Sequence, residues 1–213
     1  MWAVGLLLIT LNILGRAPVA GQAKTRLIPT LGAEGAAKAQ EALLAHVVSI
    51  ARNWCEREEE RQLRLWCTPD TKHPYFDSLI AEEKRYCQPS GDLGQRMAAI
   101  VESTLESENG VILLGGDGVS VTPELLDRVE EALCEVPVVM ASAEDGGYIL
   151  LGLTHFASSL FFQIPWGTEH VGEETRLRLQ QLGWSWREFS GQWDVDRPAD
   201  WDRFKTYRSQ LSS

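Results

Sequence analysis

Asp117 closes the apolar run GVILLGGDG (residues 110–118) and sits between two glycines. A carboxylate at the end of a buried strand, with no bulk on either side, suits a divalent cation that bridges ligand phosphates; a turn or a helix-capping aspartate has the same surroundings. The segment DVD offers Asp194 and Asp196, which share a face if the chain is extended there. They resemble a second metal contact, although Asp196 also stands where it would cap a helix beginning at Pro198. A third group lies in APVAGQAKTRL (17–27), where Gly21 lets backbone amides approach an anion and Lys24, Thr25 and Arg26 follow at the start of a helix. A solvated basic turn is the alternative. The loop is not a Walker A motif, which needs lysine directly after its second glycine, whereas two residues separate Gly21 from Lys24.

Two further glycine-rich stretches carry polar groups. GDLGQRM (91–97) places Gly91, Asp92, Leu93, Gly94 and Arg96 at the opening of a helix. Close backbone contact with a planar group or ribose, with Arg96 reaching a phosphate, fits this pattern as well as a plain helix start capped by Asp92. EDGGY (144–148) combines Glu144 and Asp145 with two glycines, which suits an acceptor hydroxyl, a catalytic base or a tight turn. Trp166 in IPWGT is the tryptophan placed to offer a stacking surface. Other chemistries lack their residues. There is no G-x-S-x-G elbow and the four histidines are dispersed, which excludes a Ser-His-Asp hydrolase, and the dinucleotide fingerprint G-x-G-x-x-G is absent.

The elements that must hold these loops follow from periodicity. The run AVGLLLITLNIL (3–14) reads as a continuously buried strand ending in a Gly/Pro turn. A secretory signal would put basic residues before such a run, and a bilayer span needs about 20 residues. Helical spacing of Leu43, Leu44, Val47, Val48, Ala51 and Trp54 predicts a helix over 33–54, and Leu93, Met97, Ile100, Val101 and Leu105 predict another over 92–107. Thr122 and Pro123 start a helix over 122–133, and further helices are expected over 173–184 and 198–209. Strands are predicted over 64–68, 84–88, 110–118, 136–143, 148–153 and 185–190, the fifth and sixth strands of the chain joined as a hairpin by EDGG. Alternating strands and helices make one three-layer α/β/α domain over 1–213 with a mostly parallel mixed sheet. In such a sheet ligands bind outside the carboxyl ends of the strands, where all five unusual loops converge.

Thirty acidic against twenty basic residues give a net charge of −10, which argues against nucleic-acid binding and against an anionic membrane surface. Cys55, Cys67, Cys87 and Cys134 lie no closer than twelve residues apart, a spacing unsuited to structural zinc and typical of reduced thiols in a cytoplasmic protein.

In this order and spacing, APVAGQAKTRL, GDLGQRM, AEDGGYILLGL, IPWGT and DVDRPAD resemble a bacterial family of glycosyltransferase-A-like (GT-A-like) proteins, whose members are often labelled radical-SAM- or selenodomain-associated transferases. The likeness runs from about Leu6 to Trp201. It implies a nucleotide-diphospho-sugar transferase fold, related to the nucleotidyltransferases of molybdopterin and deazaflavin cofactor synthesis. By that resemblance the loop of Lys24 and Arg26 grips nucleotide phosphates, Gly91 to Arg96 contact base and ribose, Asp117 holds Mg²⁺ or Mn²⁺, and Asp194 and Asp196 complete the metal or phosphate site. The chain departs from the family in reading GGDGV where G-[ST]-D-C-P is usual, and Ala20 where proline is usual. The expected activity is metal-dependent transfer from a nucleotide-activated donor to a small acceptor, most simply glycosyl transfer, with Glu144 or Asp145 as the base. Nucleotidyl transfer with pyrophosphate release is the second reading, and a nucleotide-binding scaffold without turnover is the third. The oligomeric state is open, a homo-oligomer included.

Overall fold

A computed structural model of the chain describes residues 7–211. The first strand, β1 (Ile9–Arg16), is almost wholly buried and lies inside the sheet, paired in parallel with β2 (Arg61–Thr68) on one side and β4 (Gly110–Gly115) on the other. Residues 3–6 of the expected strand lie outside the described residues. The short β3 (Arg85–Cys87) extends the sheet beyond β2. On the other side β6 (Tyr148–Leu153) runs antiparallel between β4 and β5 (Val138–Ala143), and β7 (Trp186–Gln192) pairs in parallel with β5. The order is β3-β2-β1-β4-β6-β5-β7, a mixed sheet whose antiparallel member is β6.

Period-2 alternation sorts the strand side chains into two layers. Ile112 and Leu114 face the core formed with α1 (Ile28–Cys55) and α4 (Pro123–Leu133), while Val111 and Leu113 face the core formed with α3 (Leu93–Leu105) and α5 (Val171–Leu182). The three-layer α/β/α architecture follows. The C-terminal helix α6 (Pro198–Leu211) lies outside both layers, and its buried Phe204 packs with Leu43, Val119, Trp193 and Val195.

Several boundaries differ from the sequence expectations. Helix α1 starts at Ile28, with Pro29 in its first turn, and Gly32 breaks the helical path at φ 71°, ψ 169°. A six-residue helix, α2 (Pro74–Leu79), was not predicted. It begins at a proline and is capped by His73, whose ring nitrogen accepts the Tyr75 N–H at 3.3 Å. Strand β7 runs on to Gln192 because Gly191 takes φ 83° without steric cost. The ladders of β5 slip after Ala141, and this bulge carries Ala143 to Asp145 over the carboxyl edge of the sheet.

Candidate functional site

The loops after β1, β3, β4 and β7 and the β5–β6 turn border a cleft of about 750 Å³ at the carboxyl edge of the sheet. Lys24 is at its centre. Its backbone is left-handed (φ 44°, ψ 49°) and its side chain only 8% exposed. The ammonium donates to Asp117 Oδ2 at 2.6 Å and to the Val195 carbonyl at 2.5 Å. The segments after β4 and β7 are themselves joined: Val195 N–H donates to the Asp117 carbonyl at 3.3 Å, and the Ser120 hydroxyl donates to the Trp193 carbonyl while accepting its N–H. Arg26 is paired with Asp196 across the same gap. The start of α6 is capped by Asp200, which accepts the Asp196 and Arg197 N–H groups, so the Asp196 side chain serves the Arg26 pair instead.

Asp194 lines the cleft half-buried. Burial, reinforced by the nearby carboxylates of Asp117 and Asp145, pushes its carboxyl up to about 7, against the opposing pull of Lys24. Asp145 also lines the cleft, where its Oδ1 accepts the Gly147 N–H at 3.0 Å. Glu144 points elsewhere. Its carboxylate takes both Nη groups of Arg203 at 2.8 and 3.0 Å, which holds it below the usual carboxylate range, and the same guanidinium lies 4.2 Å over the Trp193 ring.

Of the GDLGQRM residues, Leu93, Arg96 and Met97 line the cleft, while Gly91, Asp92 and Gly94 do not. Asp92 and Gln95 form a reciprocal capping box at the start of α3, each side chain accepting the other's N–H at 2.9 Å. Gly94 makes room for protein: a Cβ there would stand 2.3 Å from the Phe161 carbonyl and 2.5 Å from Trp166 Nε1. Trp166 lines the cleft from the far side of that contact. Thr25 joins the lining, and Gly21 (φ 80°) turns the chain just outside it. Sequence reasoning missed Arg16, Gln88, Tyr148 and Thr168, all of which face the cleft. Arg16 was detectable as the last residue of the first strand. Gln88 was not, because its amide works through backbone partners, donating to Trp66 O at 3.0 Å and Gly15 O at 3.3 Å.

No three His, Cys, Asp or Glu side chains among the described residues gather closely enough to hold a metal unaided. Mg²⁺ and Mn²⁺ do not require that, since Mg²⁺ in particular is usually held by one or two carboxylates and completed by water and substrate phosphate. Asp117 and Asp194 are hard oxygen donors whose mutual repulsion a cation would relieve, so the residues present fit such an ion.

The sheet order and cleft define a GT-A-like fold of the nucleotide-diphospho-sugar transferase kind, which solved structures share. Over 90% of this chain and 84% of its own, a candidate nucleotide-diphospho-sugar transferase from Desulfovibrio desulfuricans G20 superposes with a TM-score of 0.77 at 25% identity. A nucleotidyl transferase from Methanothermobacter thermautotroptrophicus shares the fold at 12% identity and a TM-score of 0.63, covering 96% of this chain and 99% of that one. Glucosyl-3-phosphoglycerate synthase from Mycobacterium tuberculosis, in complex with Mg²⁺ and uridine-diphosphate, does so at 11% identity and a TM-score of 0.57, covering 94% and 78%. Residues 51–168 match the family described as "Uncharacterized protein conserved in bacteria (DUF2064)", and the chain belongs to that family. No curated protein matches the chain significantly. No helix among the described residues is long and apolar enough to cross a membrane.

Proposed function

We propose that the chain transfers a glycosyl group from a nucleotide-diphospho-sugar to a small acceptor with the help of Mg²⁺ or Mn²⁺. The observation that carries this reading is one cleft lined both by cations, Arg16, Lys24, Arg26 and Arg96, and by carboxylates, Asp117, Asp145, Asp194 and Asp196, the two sets meeting where Lys24 touches Asp117. Cations at the β1 loop neutralise the diphosphate of the donor and the charge that grows on it as it leaves. Asp117 and Asp194 would hold the cation, which when bound supplies Lewis-acid stabilisation of that leaving charge. Asp145 is the base for the acceptor hydroxyl, because it faces the cleft while Glu144 is engaged by Arg203. Trp166 and Tyr148, which also line the cleft, would offer the acceptor an aromatic wall. The likeness to the candidate nucleotide-diphospho-sugar transferase supports the same donor class.

The test is a panel of nucleotide sugars and nucleoside triphosphates, each with Mn²⁺, read by release of nucleoside diphosphate or pyrophosphate. Nucleoside diphosphate release from one sugar donor is expected. The Asp117→Ala variant is expected to lose about 10³-fold in rate, the worth of several kcal/mol of charge stabilisation. Pyrophosphate release from a triphosphate would replace glycosyl transfer by nucleotidyl transfer. Turnover unchanged in Asp117→Ala would remove the cation from the scheme, and nucleotide binding with no turnover at all would make the chain a scaffold.

A further inference from the structure

Lys24 differs from a lysine that waits in a solvated loop for an anion. A left-handed backbone is uncommon for a residue with a Cβ and marks a position that its surroundings over-determine. Its ammonium is buried, and two of its three donors are taken by Asp117 Oδ2 and the Val195 carbonyl. Arg26 is likewise engaged by Asp196. Arg16 and Arg96 line the same cleft without a carboxylate partner among the described residues; the Arg96 Nε donates to the Gly91 carbonyl at 2.8 Å. Thus the cation best placed for a phosphate is already occupied by the carboxylate best placed for a metal.

We propose that Lys24 is an internal stand-in for the divalent cation on Asp117, so that cation and phosphate bind as a coupled pair. The inference rests on the cation-and-phosphate reading of the cleft. A divalent ion reaching Asp117 takes over the carboxylate and releases the ammonium, which then turns to the phosphate. A phosphate that draws Lys24 away leaves Asp117 bare for the ion. Linkage makes the two effects equal: the factor by which one ligand tightens the other is the same in both directions. Release of Lys24 also takes the donor from the Val195 carbonyl, so ligand binding loosens the strap after β7.

Calorimetric titration of Mn²⁺ alone, inorganic pyrophosphate alone, and each in the presence of the other tests this, with their association in free solution subtracted. Coupling within about 5- to 150-fold is expected in the wild type. In Lys24→Met, Mn²⁺ alone is expected to bind about 10-fold tighter than in wild type, and the coupling to fall below about 3-fold. Arg96→Met removes an equal charge from the cleft without freeing Asp117, and its affinity for Mn²⁺ alone is expected to change less than about 3-fold. Equal Mn²⁺ affinity in wild type and Lys24→Met, or an equal gain in Arg96→Met, overturns the proposal. Should Lys24→Met not fold, Asp117→Asn decides: it sets Lys24 free, so metal-free pyrophosphate must bind it more tightly than it binds the wild type, and unchanged or weaker binding overturns the proposal. A positive result in these arms together with no turnover of any nucleotide sugar would discard the proposed reaction and leave the coupling in place.

Discussion

At the scale of single residues, Asp194 has the clearest thermodynamic signature. Its carboxyl is raised from an ordinary 3.8 to about 7, so the folded protein binds a proton there that the unfolded chain has already released. The favourable contribution is complete below about pH 4 and is lost as the pH rises through 7. Asp194→Asn, which keeps the shape and removes the charge, is therefore expected to raise the melting temperature at pH 8 and to change it little at pH 5. Parallel melting curves of the two proteins check this, and a gain equal at both pH values would contradict it. The same carboxylate must be deprotonated to receive a cation, so Mn²⁺ affinity should fall as the pH drops below 7.

At the scale of elements, α3 shows what a glycine can be for. Gly94 has ordinary helical geometry, so alanine would suit the isolated helix better. In the protein its missing Cβ admits the Phe161 carbonyl and the Trp166 indole. Gly94→Ala is expected to cost about 1–3 kcal/mol by overcrowding and to displace the segment that carries Trp166 into the cleft. Urea unfolding measures the first effect and indole fluorescence the second. The repetition of strands and helices was legible because amphipathic faces of ten residues or more have a period, and Thr122 and Asp92 mark helix starts in a local code. Helix α2 was not legible, since six residues are too few to show a period. The insertion of β6 between β4 and β5 was not legible either, because strand order is decided by long-range packing. The candidate residues Lys24, Asp117 and Asp194 were readable as types at strand ends. Their pairing was not, with Asp117 lying 93 positions after Lys24.

At the scale of the whole molecule, α6 closes the architecture from outside. Phe204 is 1% exposed, edge-on to His46 of α1 at 5.4 Å, and it packs on the Val119 and Val195 segments that carry Asp117 and Asp194. Phe204→Ala is expected to cost about 3–5 kcal/mol as a cavity and to weaken Mn²⁺ binding, although no atom of Phe204 faces the cleft. Chemical denaturation and Mn²⁺ titration of the same preparation measure both. Weakened stability with unaltered Mn²⁺ affinity would show that α6 supports the fold alone.

The bond from Lys24 to the Val195 carbonyl spans 171 residues, nearly the length of the chain. Until β7 is in place, the cleft lacks the Val195 carbonyl and the Asp194 carboxylate that follow it. The cleft is therefore completed by a segment synthesised long after the β1 loop that it meets.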